Sequence, residues 1–186
     1  MDMKNENRKE TLTKMKEHDA KEIIKKSDFI RKKFLSSPDF RSAKNIMVYI
    51  SKENEVNTHE MIKEILLTDK KIIVPFMSEK CMLISELNDF DKLKENKYGF
   101  LEPENLKNFD KNNIDLIVVP GICFDVNGRR IGRGAGHYDK FLSNINDKNR
   151  IAFAFDFQVK DRVTTEKHDI NVFKIITEKR TIDCKK

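Results

Sequence analysis

The sequence predicts an α/β fold, a single three-layer domain in which helices flank a mostly parallel sheet. Three observations carry this reading. Short apolar runs recur along the chain, at 45–50, 71–75, 114–120, 150–155 and 173–177. Segments with helical spacing alternate with them, and a strand–helix–strand order calls for a parallel pair joined by a right-handed crossover. No internal repeat or low-complexity linker divides the 186 residues, a length sufficient to bury one core.

Residues near 4–17 read as a polar helix. Asp19 with Glu22 is a capping-box arrangement that opens a second helix. Ile23, Ile24, Ile30, Phe34 and Leu35 give that helix an apolar stripe, and Ser36, Ser37 and Pro38 end it. Residues 45–50 (NIMVYI) are rich in β-formers and read as a buried strand. Asn57 and Glu60 cap a helix through Met61, Ile62, Ile65 and Leu66, and 71–75 (KIIVP) form the next strand. Residues 81–87 suggest a further strand, and the stretch to Asn113 is charged and irregular. The clearest buried strand is 114–120 (IDLIVVP). Asn127-Gly128 is a tight-turn dipeptide that implies a small hairpin over 122–131. A helix from His137 to Leu142 follows the glycines, and 150–155 (RIAFAF) and 173–177 (FKIIT) complete the sheet. Such sheets bind ligands beyond the carboxyl ends of their strands.

Composition narrows the function classes. Hydrophobic residues make up 38% and charged residues 37%, so a heavily charged surface surrounds the core. No apolar stretch approaches the ~20 residues of a membrane span, and the first ten residues lack the apolar centre of a signal peptide. A cytoplasmic protein without a membrane partner is expected. Cys81, Cys123 and Cys184 are far apart, and His18, His59, His137 and His168 show no ligand spacing, so free thiols are expected rather than a zinc site. The net charge is +6, but lysines alternate with Glu and Asp instead of forming a stripe. That pattern suits a small anionic ligand better than nucleic acid. Nothing resembles a heptad or an exposed apolar stripe, and a monomer is expected.

The densest chemistry lies in residues 119–142, VPGICFDVNGRRIGRGAGHYDKFL. Gly132, Gly134 and Gly136 alternate just before a helix, where the backbone can approach a ligand and amides are exposed to phosphate. Arg129, Arg130 and Arg133 crowd the same loop and can neutralise phosphate charge. Asp139, one turn into the helix, is placed to hold Mg²⁺ against phosphates. The spacing is neither the dinucleotide-binding pattern nor the P-loop pattern. Asp125 begins no calcium loop, because Gly136 stands where the bidentate Glu is needed. Taken alone, the glycines are compatible with phosphate binding or with a connection shaped only by packing.

This segment resembles the diagnostic motif of the 5-formyltetrahydrofolate cyclo-ligases (5,10-methenyltetrahydrofolate synthetases). That motif runs V-P-G-x-x-F-D-x-x-G-x-R-x-G-x-G-x-G-x-Y-D-x-x-L, and Pro120, Gly121, Phe124, Asp125, Gly128, Arg130, Tyr138 and Asp139 match it together with the three alternating glycines. The likeness extends along nearly the whole chain. Lys4 and Arg8 fit an N-terminal Lys-x-x-x-Arg, Glu55 an acidic residue beside the pterin, and Gly99, Glu102 and Pro103 a G-x-x-E-P stretch. Gln158 and the segment KHDINVFKIITE resemble the C-terminal end, with Asp169 as a second metal-associated carboxylate. Asn7 stands in place of a usual Leu, His137 in place of a common aromatic and Thr164 in place of a Pro.

The resemblance implies ATP-dependent cyclisation of 5-formyltetrahydrofolate to 5,10-methenyltetrahydrofolate, with Mg²⁺ as cofactor and ATP and a reduced folate as the small-molecule partners. It assigns Lys4, Arg8, Arg130, Gly132, Arg133, Gly134, Ala135, Gly136, His137 and Tyr138 to ATP, and Glu55, Ile50 and Tyr138 to the folate. Asp139 and Asp169 would support the metal, and Arg130 and Tyr138 would act in catalysis. Lys4 and Arg8, four apart on a helix, can reach one anion together. No Ser/His/Asp or Cys/His constellation is present, and phosphoryl transfer needs none. The same scaffold is compatible with another formylated pterin, or with a folate- or nucleic-acid-binding relative that has lost catalysis.

Overall fold

A computed structural model describes residues 3–78, 81–97, 99–143, 145 and 150–184. Its main sheet has seven strands: β1 (Asn45–Val48), β2 (Lys71–Met77), β3 (Met82–Leu87), β6 (Leu116–Val119), β9 (Arg150–Phe153), β11 (Lys174–Ile176) and β12 (Thr181–Asp183). Their spatial order is β12-β11-β9-β6-β1-β2-β3. The five central strands are parallel, and each edge strand is antiparallel to its neighbour. Chain order reverses between β1 and β6, whose register pairs Met47 with Ile117. A crevice is expected beyond their carboxyl ends.

Alternation along these strands builds two cores. Ile46, Val48, Val118 and Phe153 face α2 (Ala20–Leu35) and α4 (His59–Leu66), which supply Ile30, Phe34, Met61, Ile62 and Ile65. Met47, Ile73, Ile117 and Ala152 point the other way and pack with Phe124 and with Leu142 of α5 (His137–Leu142). The expected three-layer arrangement is therefore present.

Local chemistry accounts for most boundaries. The Asp19 side chain accepts from the Glu22 N–H at 2.8 Å and caps α2. Ser36 is the C-cap of that helix, and Ser37 caps α3 (Pro38–Ser42) by accepting from Phe40 N. The expected cap of α4 at Asn57 is displaced. Asn57 Oδ1 does accept from His59 N at 2.9 Å, but the N-cap position belongs to Thr58. The Thr58 hydroxyl instead donates to Tyr49 O at 2.8 Å and accepts from Ser51 N at 3.0 Å. Its cap function is given up to pin the loop that leaves β1.

Strand β2 continues through Pro75 to Met77, beyond the expected end. The β1 register stops at Ile73, so Pro75 faces no parallel neighbour that needs its missing N–H. The stretch expected to be irregular holds an antiparallel pair, β4 (Leu93–Glu95) and β5 (Leu101–Pro103). A third sheet joins β10 (Val159–Lys160), β7 (Cys123–Asp125) and β8 (Arg130–Ile131). In it β7 and β8 form the expected hairpin, and β10 runs parallel to β7. Helix α1 (Met3–Glu17) buries only Thr11 and Met15.

Candidate active site

A cavity of about 720 Å³ opens beyond the carboxyl ends of β1 and β6. Every residue assigned to a site by resemblance lines its wall: Lys4, Arg8, Ile50, Glu55, Arg130, the loop 132–136, His137, Tyr138, Asp139 and Asp169. Residues more than 160 positions apart in the sequence meet there.

The hairpin explains how Arg130 is held. Asp125 is fully buried, and its carboxylate accepts from Asn127 N, Arg129 N and Val163 N at 2.9, 3.1 and 3.0 Å. That fixes the turn and ties the hairpin to the segment that carries Asp169. Gln158, also buried, donates its amide to Gly121 O at 3.2 Å and Ile122 O at 2.9 Å, holding the chain after β6. Arg130 is 4% exposed; it donates to Asp139 Oδ1 at 2.6 Å and to Pro120 O at 3.3 Å. Gly134 (φ 111°) and Gly136 (φ 67°) take left-handed or otherwise strained backbone, and Gly136 stands as N-cap of α5.

Cations and carboxylates of the site are paired with one another. Lys4 Nζ contacts Asp169 Oδ2 at 2.6 Å and Glu166 Oε1 at 2.9 Å. Arg8 donates through Nε to Gly132 O at 3.0 Å. Arg133 meets Glu55 at 2.5 Å, joining the glycine loop to the loop after β1. Asp139 Oδ1 also accepts from Ile170 N at 3.0 Å. The carboxylates therefore stand beside phosphate-type cations, and among the described residues no group of three or more His, Cys, Asp or Glu is arranged to hold a metal. A metal bound at Asp139 or Asp169 would need its remaining ligands from phosphates and water.

Burial pushes the Tyr138 phenol well above its ordinary pKa, and the Glu55 charge adds to this, with Arg130 opposing. Its hydroxyl is buried and has no hydrogen-bond partner among the described residues. A protonated, unsatisfied donor thus lines the cavity. Burial works against ionisation of Asp169, yet the Lys4 ammonium and the Glu166 N–H hold its carboxyl below the ordinary value. A carboxylate depressed on folding contributes stability above its unfolded pKa and loses it as pH falls through the folded one. In Lys4→Ala the Asp169 titration is expected to move upward, read from the carboxyl chemical shift. An unmoved midpoint would show that Lys4 does not hold it.

The cavity's apolar wall was hardly legible from residue spacing. Phe76, Met77, Met82, Phe100 and Leu101 line it, and Lys52 Nζ lies 3.3 Å from the Phe100 ring centroid. Glu102 accepts from Met77 N at 2.9 Å and fastens β5 to the end of β2. Only the G-x-x-E-P resemblance pointed toward this side; Phe100 and Leu101 lie in a stretch read from sequence as charged and irregular.

In this α/β sheet the crevice joins a cationic glycine loop to an apolar cleft, an arrangement suited to an enzyme that binds small molecules. Comparison with known proteins makes this specific. A model of the 5-formyltetrahydrofolate cyclo-ligase family matches residues 1–178, and the chain belongs to that family. It is similar to a 5-formyltetrahydrofolate cyclo-ligase of Haemophilus influenzae, 29% identical over 173 residues and 89% of each chain. The enzyme of that name from Mus musculus is 24% identical over 92% of this chain and 91% of its own. The solution structure of 5,10-methenyltetrahydrofolate synthetase from Aquifex aeolicus superposes with a TM-score of 0.89 at 27% identity, covering 99% of this chain and 94% of that one. These relatives are ligases by name. No helix of the described residues is long and apolar enough to cross a membrane.

Proposed function

We propose that this protein cyclises 5-formyltetrahydrofolate to 5,10-methenyltetrahydrofolate at the expense of ATP, releasing ADP and phosphate. One observation carries the reading: the glycine loop with its cations and the apolar cleft are walls of the same cavity. Phosphate donor and folate would then meet without an intervening carrier.

A formyl oxygen bound to carbon does not depart as oxide. Transfer of the γ-phosphoryl group to that oxygen forms a P–O bond and breaks the bond to the β-phosphate, so ADP leaves. The nitrogen at position ten then attacks the formyl carbon, closes the ring and gives up its proton. The C–O bond breaks and phosphate departs. Lys4, Arg8, Arg130 and Arg133, with the amides of 132–136, bind and neutralise the phosphates. Arg130 and the protonated Tyr138 hydroxyl stabilise charge on the transferring group and the formyl oxygen, while Ile50, Glu55 and Tyr138 contact the folate. The Asp139 hydrogen bonds described above fall on Oδ1, and Asp139 and Asp169 are the carboxylates that would hold Mg²⁺ carried in with ATP. Bound Mg²⁺ supplies further neutralisation of phosphate charge.

Two cores share the seven-stranded sheet that supports the cavity, which favours one domain; a cytoplasmic monomer belongs to the same proposal. The test mixes protein, ATP, Mg²⁺ and 5-formyltetrahydrofolate and follows the near-ultraviolet absorbance of the conjugated methenyl bridge. A rise that requires both ATP and Mg²⁺ is expected. Retained ATP binding without a rise would move the assignment to another formylated pterin, and loss of both would overturn the phosphate site.

A further inference from the structure

Helix α1 carries Lys4 and Arg8 but has little to hold it. Its docked stripe, Lys4, Arg8, Thr11 and Met15, is spaced four, three and four, and only Thr11 and Met15 are buried. The contacts of Lys4 with Asp169 and Glu166, and of Arg8 with Gly132 O, use the side chains that the function proposed above turns toward phosphate. If these exchange protein partners for ATP, something else must keep the helix in register.

Lys160 is the group placed to do so. It sits on β10 with its side chain 21% exposed, and its ammonium contacts Asn7 Oδ1 at 3.2 Å and the Glu10 carboxylate. Asn7 and Glu10 are three apart and flank the docked stripe. Lys160 pairs in register with Asp125 of β7, whose hairpin partner β8 leads directly into the glycine loop. Helix and loop are thus fastened to one small sheet. Lys160, Asn7 and Glu10 all lie outside the cavity wall, so ligand binding does not compete for them. Glu10 also pairs with Lys14 within the helix, at 2.8 Å. Those two lysines, Lys14 first, lower its pKa to about 2, so the carboxylate is charged at neutral pH.

We propose that Lys160 is a positioning residue for the nucleotide: by gripping Asn7 and Glu10 it holds α1 so that Lys4 and Arg8 face the glycine loop. The inference rests on the cavity being an ATP site. Lys160→Glu is expected to raise the Kd and KM for ATP about tenfold, while kcat and the KM for the folate change less than about twofold. A merely structural lysine would lower melting temperature without that split. Lys160→Arg, which keeps the charge, should behave as the unaltered protein. The charge swap Glu10→Lys with Lys160→Glu should recover most of the lost affinity. Amide exchange over Thr11–Lys16 should be faster in Lys160→Glu and restored in the swap, with or without ATP. Unchanged ATP affinity in folded Lys160→Glu, or a swap that restores nothing, would overturn the positioning role alone. Failure of the unaltered protein to bind ATP by calorimetry would overturn the parent reading, and the exchange result would still report whether the tether exists.

Discussion

Arg130→Ala is expected to lower kcat/KM by about a hundredfold or more, the usual consequence of removing one preorganised charge from a transferring phosphoryl group. From sequence this residue was one of three arginines crowding the glycine loop. The structure adds a second effect, because Arg130 is 4% exposed and its partner Asp139 retains only 15% side-chain exposure. Breaking a largely buried pair strands the remaining carboxylate, a cost of about 3 kcal/mol. Kinetics and urea unfolding measured on the same variant separate the two effects. Arg130→Lys keeps the charge but not the two-pronged geometry that reaches Asp139 and Pro120 O together, so it should recover more stability than rate. Unaltered kinetics in Arg130→Ala would remove this residue from the site.

Gly128→Ala is expected to be the most destabilising small substitution in the chain, by about 3 kcal/mol or more. Gly128 has φ 81°, and a Cβ there would stand 1.9 Å from the backbone oxygen of Val172. The same glycine accepts from Val172 N at 2.9 Å and donates to Asp125 O at 2.9 Å, so neither the turn nor the segment before β11 can move away cheaply. Gly136→Ala is the control. Its φ of 67° carries a similar conformational cost, roughly 1 kcal/mol, but a Cβ would meet nothing within 4 Å. Thermal melting should separate the two variants widely, and equal melting temperatures would show that the contact with Val172 does not matter.

Asp125 and Gly128 illustrate what could be read early. Asn127-Gly128 announced the hairpin, and the structure places β7 and β8 on either side of it. Helix α5 begins and ends where the glycines and apolar spacing put it. Strands β10 and β12 went unread because VK and TID are too short to show alternation; their strand character comes from pairing with β7 and β11. The Asn57 cap failed for a related reason, since the choice between Asn57 and Thr58 was made by Tyr49 and Ser51, remote in local spacing but adjacent in space.

By itself the sequence determined the layers, the central parallel strands and the place of the glycine loop before its helix. These follow from period, turn chemistry and a motif, all local in the chain. Tertiary structure alone decided that Phe76, Met82 and Phe100 face the same cavity as that loop, that Lys4 meets Asp169, and that Arg130 is buried. Such relations depend on sheet order and on side chains that compete for partners after the chain has closed, and no short window of sequence contains them.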